Sequence, residues 1–596
     1  MKFRDLRRKD VLAPAAAIAA SLVVQGMVLG SGFLDDDFLY FYESQKRGFL
    51  AVVTRPFGNH FMAFFKFVVA LLHALFGLHA GWYFAIVLLT HLANVALLYS
   101  IVRALSRSES VAGLAAALWG SAPAFQGTLQ WFSAYSHMLS TTAVLWPLWE
   151  MARAAEARRP PTAWALIRTS LALFAGSATM LTGSVTAAIF PAVALILLPR
   201  ESAPLRTALW LLPSALASTL TVAWFAGGNV TMRGLLSPAP TIFVFLALIA
   251  YAVGMVIAGP LVTIHADGKG IGLFPWGSCD AAVAVSAVFF LALFGVVAWR
   301  LVRGEWTERR VLLAVLVLAG TLYASIAVGR SWLAFGNSLT WIATRDRYHY
   351  DANPGLIIAI AVAVARLRPP LAWSPKRPVA ILLVALAGAY VAASCLVART
   401  TYVGGQWVRQ RWARDVMDRT DGAIRELAAH IPKGGVLYLR NDPFAAASLV
   451  YALGAPQADF PGIGAYWIIA HGVDPVDGRT IRFVEENAQL LETIRAQSRP
   501  EVASMFVAPK DVARVNAPMR TIDASPLPSL NPWGRPRFYR LPRQGQAAAQ
   551  MACRESCRPN TMVRYSQEHG CECTAAPGAM ASEPAKPPAP TRTAVP

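Results

Sequence analysis

The sequence predicts an all-α polytopic membrane protein of about eleven transmembrane helices plus interfacial helices, followed by a small C-terminal extracytoplasmic α/β domain. Three observations carry this. Hydrophobic side chains make up 56% of the 596 residues, charged ones only 15%, and mean hydropathy is +0.44, more apolar surface than a soluble fold can bury. Several uncharged stretches approach the roughly 20 residues needed to cross a bilayer. The net charge of +20 is spread over short loops between those stretches, which is the positive-inside pattern of a membrane protein. Because the basic residues form no single stripe with interleaved aromatics, nucleic acid is excluded as a partner.

Taken in order, the basic N-terminus (MKFRDLRRKD) is placed inside, and the first helix, 11–30, delivers the chain to the outer face. No small-residue cleavage site precedes the acidic stretch that follows, so this helix is read as uncleaved. Segment 61–77 (FMAFFKFVVALLHALFG) is apolar but carries Lys66 and His73. If it crossed, the next helix, 83–102, would leave Arg103 and Arg107 outside. It is therefore expected to lie in the outer interface, with Lys66 and His73 snorkelling toward the headgroups, and 83–102 becomes the second span.

Spans are then expected near 110–127, 137–152, 163–180, 184–199 and 207–226, with Arg153, Arg158, Arg159, Arg200 and Arg206 inside. A full span at 241–263 would put Arg300, Arg303, Arg309 and Arg310 outside, so this segment is expected to be interfacial or re-entrant. Spans at 281–300, 311–329, 355–368 and 378–398 follow, with Arg366, Arg368, Lys376 and Arg377 inside. Residues 1–398 thus form a multi-pass domain with an outer loop at 31–82. The implied location is the cytoplasmic (inner) membrane, with the N-terminus cytoplasmic and the C-terminal domain extracytoplasmic.

Residues 399–545 alternate an amphipathic helical stretch, 406–430, with strand-like runs such as GVLYL at 435–439, as expected of a small α/β domain. A Cys-rich segment, 546–573, and an Ala/Pro-rich tail, 574–596, that cannot bury a core complete the chain. Cys279, Cys553, Cys557, Cys571 and Cys573 fall on the outer side, and Cys395 near the outer end of the last helix. An oxidising compartment suits them. The one-residue gap between Cys571 and Cys573 is unusual for structural zinc, so two disulfides are expected in the tail, with their connectivity open.

The acidic triplet Asp35-Asp36-Asp37 follows the first helix directly. Three adjacent carboxylates beside a membrane repel one another, and that raises at least one pKa and can create a general base. The competing reading is that acids accumulate where positive charge is avoided.

Several stretches together resemble a known family. They are GFLDDDFLY at 32–40, Arg55-Pro56-Phe57-Gly58-Asn59, the apolar run to Leu78, the helix carrying His91, Asn94 and Tyr99, QWFSAYSHML at 130–139, and TRDRYHYDANPG at 344–355. The pattern, over roughly residues 10–400, resembles the C-type (GT-C) polyprenyl-phosphate-sugar-dependent membrane glycosyltransferases, protein O-mannosyltransferases among them. That family has an acidic pair in its first outer loop, an interfacial helix, and then its second span.

The resemblance implies inverting transfer of a sugar from a polyprenyl-phosphate donor to a glycan, lipid or protein acceptor at the outer membrane face. Asp36, or its neighbours Asp35 and Asp37, would act as general base. Arg347, Arg345 and Tyr348 would hold the donor phosphate, a task suited to the planar guanidinium. His60, His137 and His349 are further candidate site residues. No cofactor is required, although the triplet could ligate a divalent ion. The chain departs from the family in two places. Tyr135 and His137 replace an Arg and an Asp, and Ala178-Thr179-Met180-Leu181-Thr182-Gly183 stands where relatives carry Lys-Glu.

Two other functions compete. Few charges lie within the spans, Arg168 being the main one, and no paired broken helices are visible, which weighs against a transporter. A non-catalytic scaffold with an outer partner-binding domain is the third reading, and the absent Lys-Glu is what recommends it.

Overall fold

The computed structural model describes residues 8–33, 37, 40–41, 49–55, 61–226, 238–264, 272–274, 277–335, 337–367, 377–403 and 433–434, together with six strands further on. Two compact units divide the chain. The first holds Met1–Asp418 with Ile468–Gly472, and the second holds Arg419–Trp467 with Val473–Pro596.

The first unit is helical. Its main elements are α1 (Arg8–Gln25), α2 (Phe49–Thr54), α3 (Ala63–Phe76), α4 (Ala80–Ser106), α5 (Glu109–Gly120), α6 (Tyr135–Ala157), α7 (Ala163–Ser177), α8 (Leu181–Leu197) and α9 (Pro204–Ala226). They continue through α10 (Pro238–Ile257), α11 (Cys279–Arg303), α12 (Trp306–Arg330), α13 (Asn353–Ala365) and α14 (Arg377–Thr401). Five stretches are long and apolar enough to cross a membrane: Val11–Gly30, Ala80–Ser106, Pro238–Ile257, Cys279–Arg303 and Trp306–Arg330. Four shorter apolar helices accompany them among the described residues. The chain is therefore a polytopic helical membrane protein. Four of these five fall among the eleven spans expected, and the fifth, Pro238–Ile257, does not. The other expected spans are shorter or carry more polar residues, as α6 does with Ser140, Thr141, Thr142 and Glu150.

Helix α3 has 14 residues, about 21 Å at the helical rise and too short for the hydrocarbon core. This agrees with its expected non-spanning role, but Lys66 does not snorkel. Its side chain is buried, and its Nζ donates to the carbonyls of Arg55 (2.6 Å) and Val52 (3.2 Å). An ammonium at the C-terminal carbonyls of α2 satisfies acceptors that the helix leaves open. The segment expected to be interfacial or re-entrant near 241–263 is instead one continuous 20-residue helix, α10, of spanning length. It packs tightly on α11, where a Cβ at Gly254 would stand 2.3 Å from Ser286 Cβ. Charge placement argued against a full span here, and the close packing on α11 accompanies a helix of spanning length.

Glycine also sets the α7–α8 hairpin. A Cβ on Gly183 would lie 2.0 Å from the carbonyl oxygen of Gly176. The residues between them, Ala178 to Thr182, are mostly buried, and Phe64 at the start of α3 donates its N–H to Ala178 O at 2.7 Å. Within the helices, Arg168 and Glu150 pair at 2.8 Å, with Glu150 buried. At the end of the bundle opposite this hairpin, Arg310 donates to the carbonyls of Ile196 (2.8 Å) and Leu198, and Arg300 pairs with Glu308. Arg310 caps the last turn of α8, so residues near 200 and 310 share one end, as the charge pattern requires.

In the second unit, Val436–Leu439 (β1), Thr480–Phe483 (β2), Ser504–Val507 (β3) and Arg520–Thr521 (β4) form a mixed sheet of order β2-β1-β3-β4. The strand expected at GVLYL is β1. The helix expected at 406–430 lies outside the described residues. Thr561–Ser566 (β5) and Gly570–Ala575 (β6) pair as a hairpin that carries Cys571 and Cys573, while Cys553 and Cys557 lie outside the described residues.

Candidate functional site

The segment between α5 and α6 is a chain of single turns, Pro123–Phe125, Gln126–Leu129 and Phe132–Ala134. Proline at 123 starts it, and the turns pass directly into α6. Residues from two distant parts of the sequence dock on it.

From the N-terminal side comes Asp37. Its side chain is buried, and Oδ1 accepts from both the backbone N–H and the hydroxyl of Ser133 at 2.6 Å. Aromatic packing holds the two segments together. Phe33 stands edge-on to Tyr83 (4.9 Å) and lies 6.2 Å from Phe132, and Phe132 is edge-on to Tyr83 at 5.0 Å. Asp35, Asp36 and His60 lie outside the described residues.

From the C-terminal side comes the stretch between α12 and α13, which carries the turns Leu339–Ala343 and Arg347–Tyr350. Thr128 donates to Asp346 Oδ2 at 2.7 Å, and Gly127 leaves room for that carboxylate, since a Cβ there would be 2.6 Å from it. The Arg347 guanidinium lies 5.0 Å from the Trp131 ring and 5.3 Å from the Tyr348 ring. Arg345 stacks on Trp341 at 4.1 Å, and Arg330, at the end of α12, lies 5.1 Å from Tyr348. Three guanidiniums therefore gather around two neighbouring turns. Burial alone would push the Tyr348 phenol up, but Arg347 and Arg330, helped by Arg345, outweigh it and hold the hydroxyl below its ordinary value.

Beside the arginines, Gln126 and Gln130 are fully buried, and neither the oxygen nor the nitrogen of either amide has a protein partner among the described residues. The buried Trp131 Nε1 has none either. Buried polar groups are normally paired, so this cluster of donors and acceptors can receive solvent or a polar ligand.

A second carboxylate completes the arrangement. Asp351, 1% exposed, accepts from Thr182 Oγ1 (2.6 Å), Thr141 Oγ1 (3.1 Å) and His137 Nδ1 (3.1 Å). Thr182 belongs to the stretch where the resembled family carries Lys-Glu, so in this chain that stretch meets a carboxylate brought by another segment. Sequence reading missed Asp351, Gln126, Gln130 and Arg330. Asp351 stood inside the quoted TRDRYHYDANPG stretch, but nothing in its spacing marks it as the partner of His137.

His349 differs from His137. It is fully buried, its Nε2 donates to Ala343 O (2.6 Å), and its Nδ1 accepts from Tyr323 OH (3.1 Å). Burial, against a smaller opposing effect of the Ala343 bond, pushes the imidazole down to about 4. With both nitrogens engaged, it is a neutral structural brace, as is His91, which lies between Tyr350 OH (2.6 Å) and Gly120 O (2.9 Å). No group of three or more His, Cys, Asp or Glu that could hold a metal ion exists among the described residues.

No protein-family model matches the chain, and no curated protein matches it. Among solved structures, it is similar to the crystal structure of the oligosaccharyltransferase of Archaeoglobus fulgidus, tethered through a disulfide bond to an acceptor peptide containing an NVT sequon. Identity is 15% and the TM-score 0.39, over 70% of this chain and 58% of that one, so the chain spans less than two thirds of that structure's length. At that TM-score the likeness carries no argument.

Proposed function

We propose that the chain is a membrane glycosyltransferase that moves a sugar from a polyprenyl-phosphate donor to an acceptor hydroxyl at the outer membrane face. One observation carries the reading. The Gln126–Ala134 turns are joined on one side to Asp37 through Ser133, and on the other to Asp346 and Arg347 through Thr128 and Trp131. An acidic first loop and an arginine-rich late loop, over 300 residues apart in sequence, thus share one platform. Both are among the stretches on which the family resemblance rests.

The chemistry suits a phosphate leaving group. Arg345, Arg347 and Arg330 can take the negative charge that grows on the phosphate as the glycosidic bond breaks, and guanidiniums do this with planar, paired donors. The unpaired Gln126 and Gln130 amides suit a ligand rich in hydroxyls. Asp37 accepts two hydrogen bonds from Ser133 and acts as a brace, and Asp35 and Asp36 lie outside the described residues.

The test is binding of polyprenyl phosphate to the full-length protein in nanodiscs, followed by native mass spectrometry. Wild type is expected to retain the lipid, and an Arg345→Ala, Arg347→Ala double variant to lose it while keeping its thermal stability. Equal binding by both proteins would overturn the reading.

A further inference from the structure

The geometry points to His137 as the group that takes the proton from the acceptor hydroxyl, with Asp351 as its positioning residue. This inference rests on the glycosyltransferase reading and names a residue for its proton transfer.

His137 opens α6, immediately after the turns that carry Trp131 and Ser133. Its Nδ1 lies 3.1 Å from Asp351 Oδ2, and this carboxylate is itself fixed by Thr141 and Thr182. Thr182 is held in turn by Ser140 Oγ at 3.1 Å, and Thr141 also reaches the backbone carbonyls of His137 (2.9 Å) and Tyr350 (3.3 Å). Donation from Nδ1 to a carboxylate selects the tautomer in which Nε2 carries the lone pair. No protein hydrogen bond occupies Nε2 among the described residues, and 10% of the side chain stays accessible. The contrast with His91 and His349, fully buried with both nitrogens bonded, separates a presented imidazole from two structural ones.

The placement also fits the platform. His137 and Trp131 lie on one segment and their partners Asp351 and Arg347 on another, so the imidazole and the phosphate-binding guanidinium are presented by the same two segments. In the step, the acceptor oxygen bonds to the anomeric carbon as its proton passes to His137 Nε2. The bond from that carbon to the phosphate oxygen breaks, and its electron pair leaves on the lipid phosphate beside the arginines. The imidazolium then returns its proton to the departing phosphate or to water.

Two measurements on the full-length protein in nanodiscs test this. In the first, diethyl pyrocarbonate labelling is read by peptide mass spectrometry. His137 is expected to be modified, His91 and His349 spared, and a polyprenyl-phosphate hexose to protect His137. A folded protein in which His137 resists the reagent overturns the inference without any activity measurement.

In the second, a panel of synthetic polyprenyl-phosphate hexoses is supplied together with glycan, lipid and peptide hydroxyl acceptors, and released polyprenyl phosphate is quantified. His137→Gln is expected to lower kcat by about 10²–10⁴-fold, the usual share of a general base, with lipid binding kept. Asp351→Asn is expected to cause a smaller fall in kcat at unchanged KM, and added imidazole to restore part of the rate of His137→Gly. Wild-type turnover in His137→Gln beside an inactive Arg347→Ala would remove the dyad and leave the glycosyltransferase reading standing. Absence of turnover by wild type on every donor would remove both.

Discussion

Asp37 Oδ1 receives two hydrogen bonds from a single residue, the backbone N–H and the side-chain hydroxyl of Ser133, each at 2.6 Å. A carboxylate so engaged and wholly buried fastens the first loop to the Gln126–Ala134 turns. Replacing it with alanine strands a buried N–H donor, at a cost of roughly 1–3 kcal/mol. Asp37→Ala is therefore expected to lower the thermal midpoint in detergent clearly, and Ser133→Ala to lower it less, because the backbone donor survives.

Trp131 places a ring 5.0 Å from the Arg347 guanidinium. Such contacts are worth about 0.5–2 kcal/mol, depending on desolvation. Trp131→Ala is expected to weaken polyprenyl-phosphate binding by about that amount, measured by lipid titration and native mass spectrometry. Trp131→Phe, which keeps a ring face, should lose less. Identical affinity in both variants would show that the ring does not orient Arg347.

Gly183 meets the Gly176 carbonyl so closely that a methyl group cannot be inserted without displacing α7 from α8. Overpacking of this kind costs about 1–3 kcal/mol. Gly183→Ala is expected to lower the thermal midpoint, and also the proposed transferase activity, because Thr182 next to it holds Asp351. Gly320→Ala is the matched control, since that position opens onto free space.

His349 is pushed down to about 4 from 6.5 by burial. Below 6.5 the unfolded chain takes up a proton that the folded state refuses, so stability falls as pH drops from 6.5 toward 4 and is unaffected by this group above 6.5. Over that window the slope is about 1.4 kcal/mol per pH unit. Unfolding measured across it should show a shallower acid slope in His349→Gln than in wild type. An unchanged slope would contradict the buried, neutral imidazole.

The sequence by itself determined that this is a polytopic helical membrane protein, because apolar runs of spanning length and arginines gathered mostly at loops and helix ends are local properties that solvent imposes directly. The short α3 and strand β1 were legible for the same reason: length and alternation need no partner. Lys66 and α10 were misread, because charge counting cannot see that the carbonyls of Val52 and Arg55 receive an ammonium, or that Gly254 lets α10 lie against Ser286. At the site, the acidic and arginine-rich stretches could be quoted from the chain, but their meeting could not. Asp37 to Ser133 spans 96 residues and His137 to Asp351 spans 214, and no periodicity links positions so distant. Only packing of the helix bundle decided that Asp37 braces a turn, that His349 is sealed inside, and that His137 is held by Asp351 through one ring nitrogen.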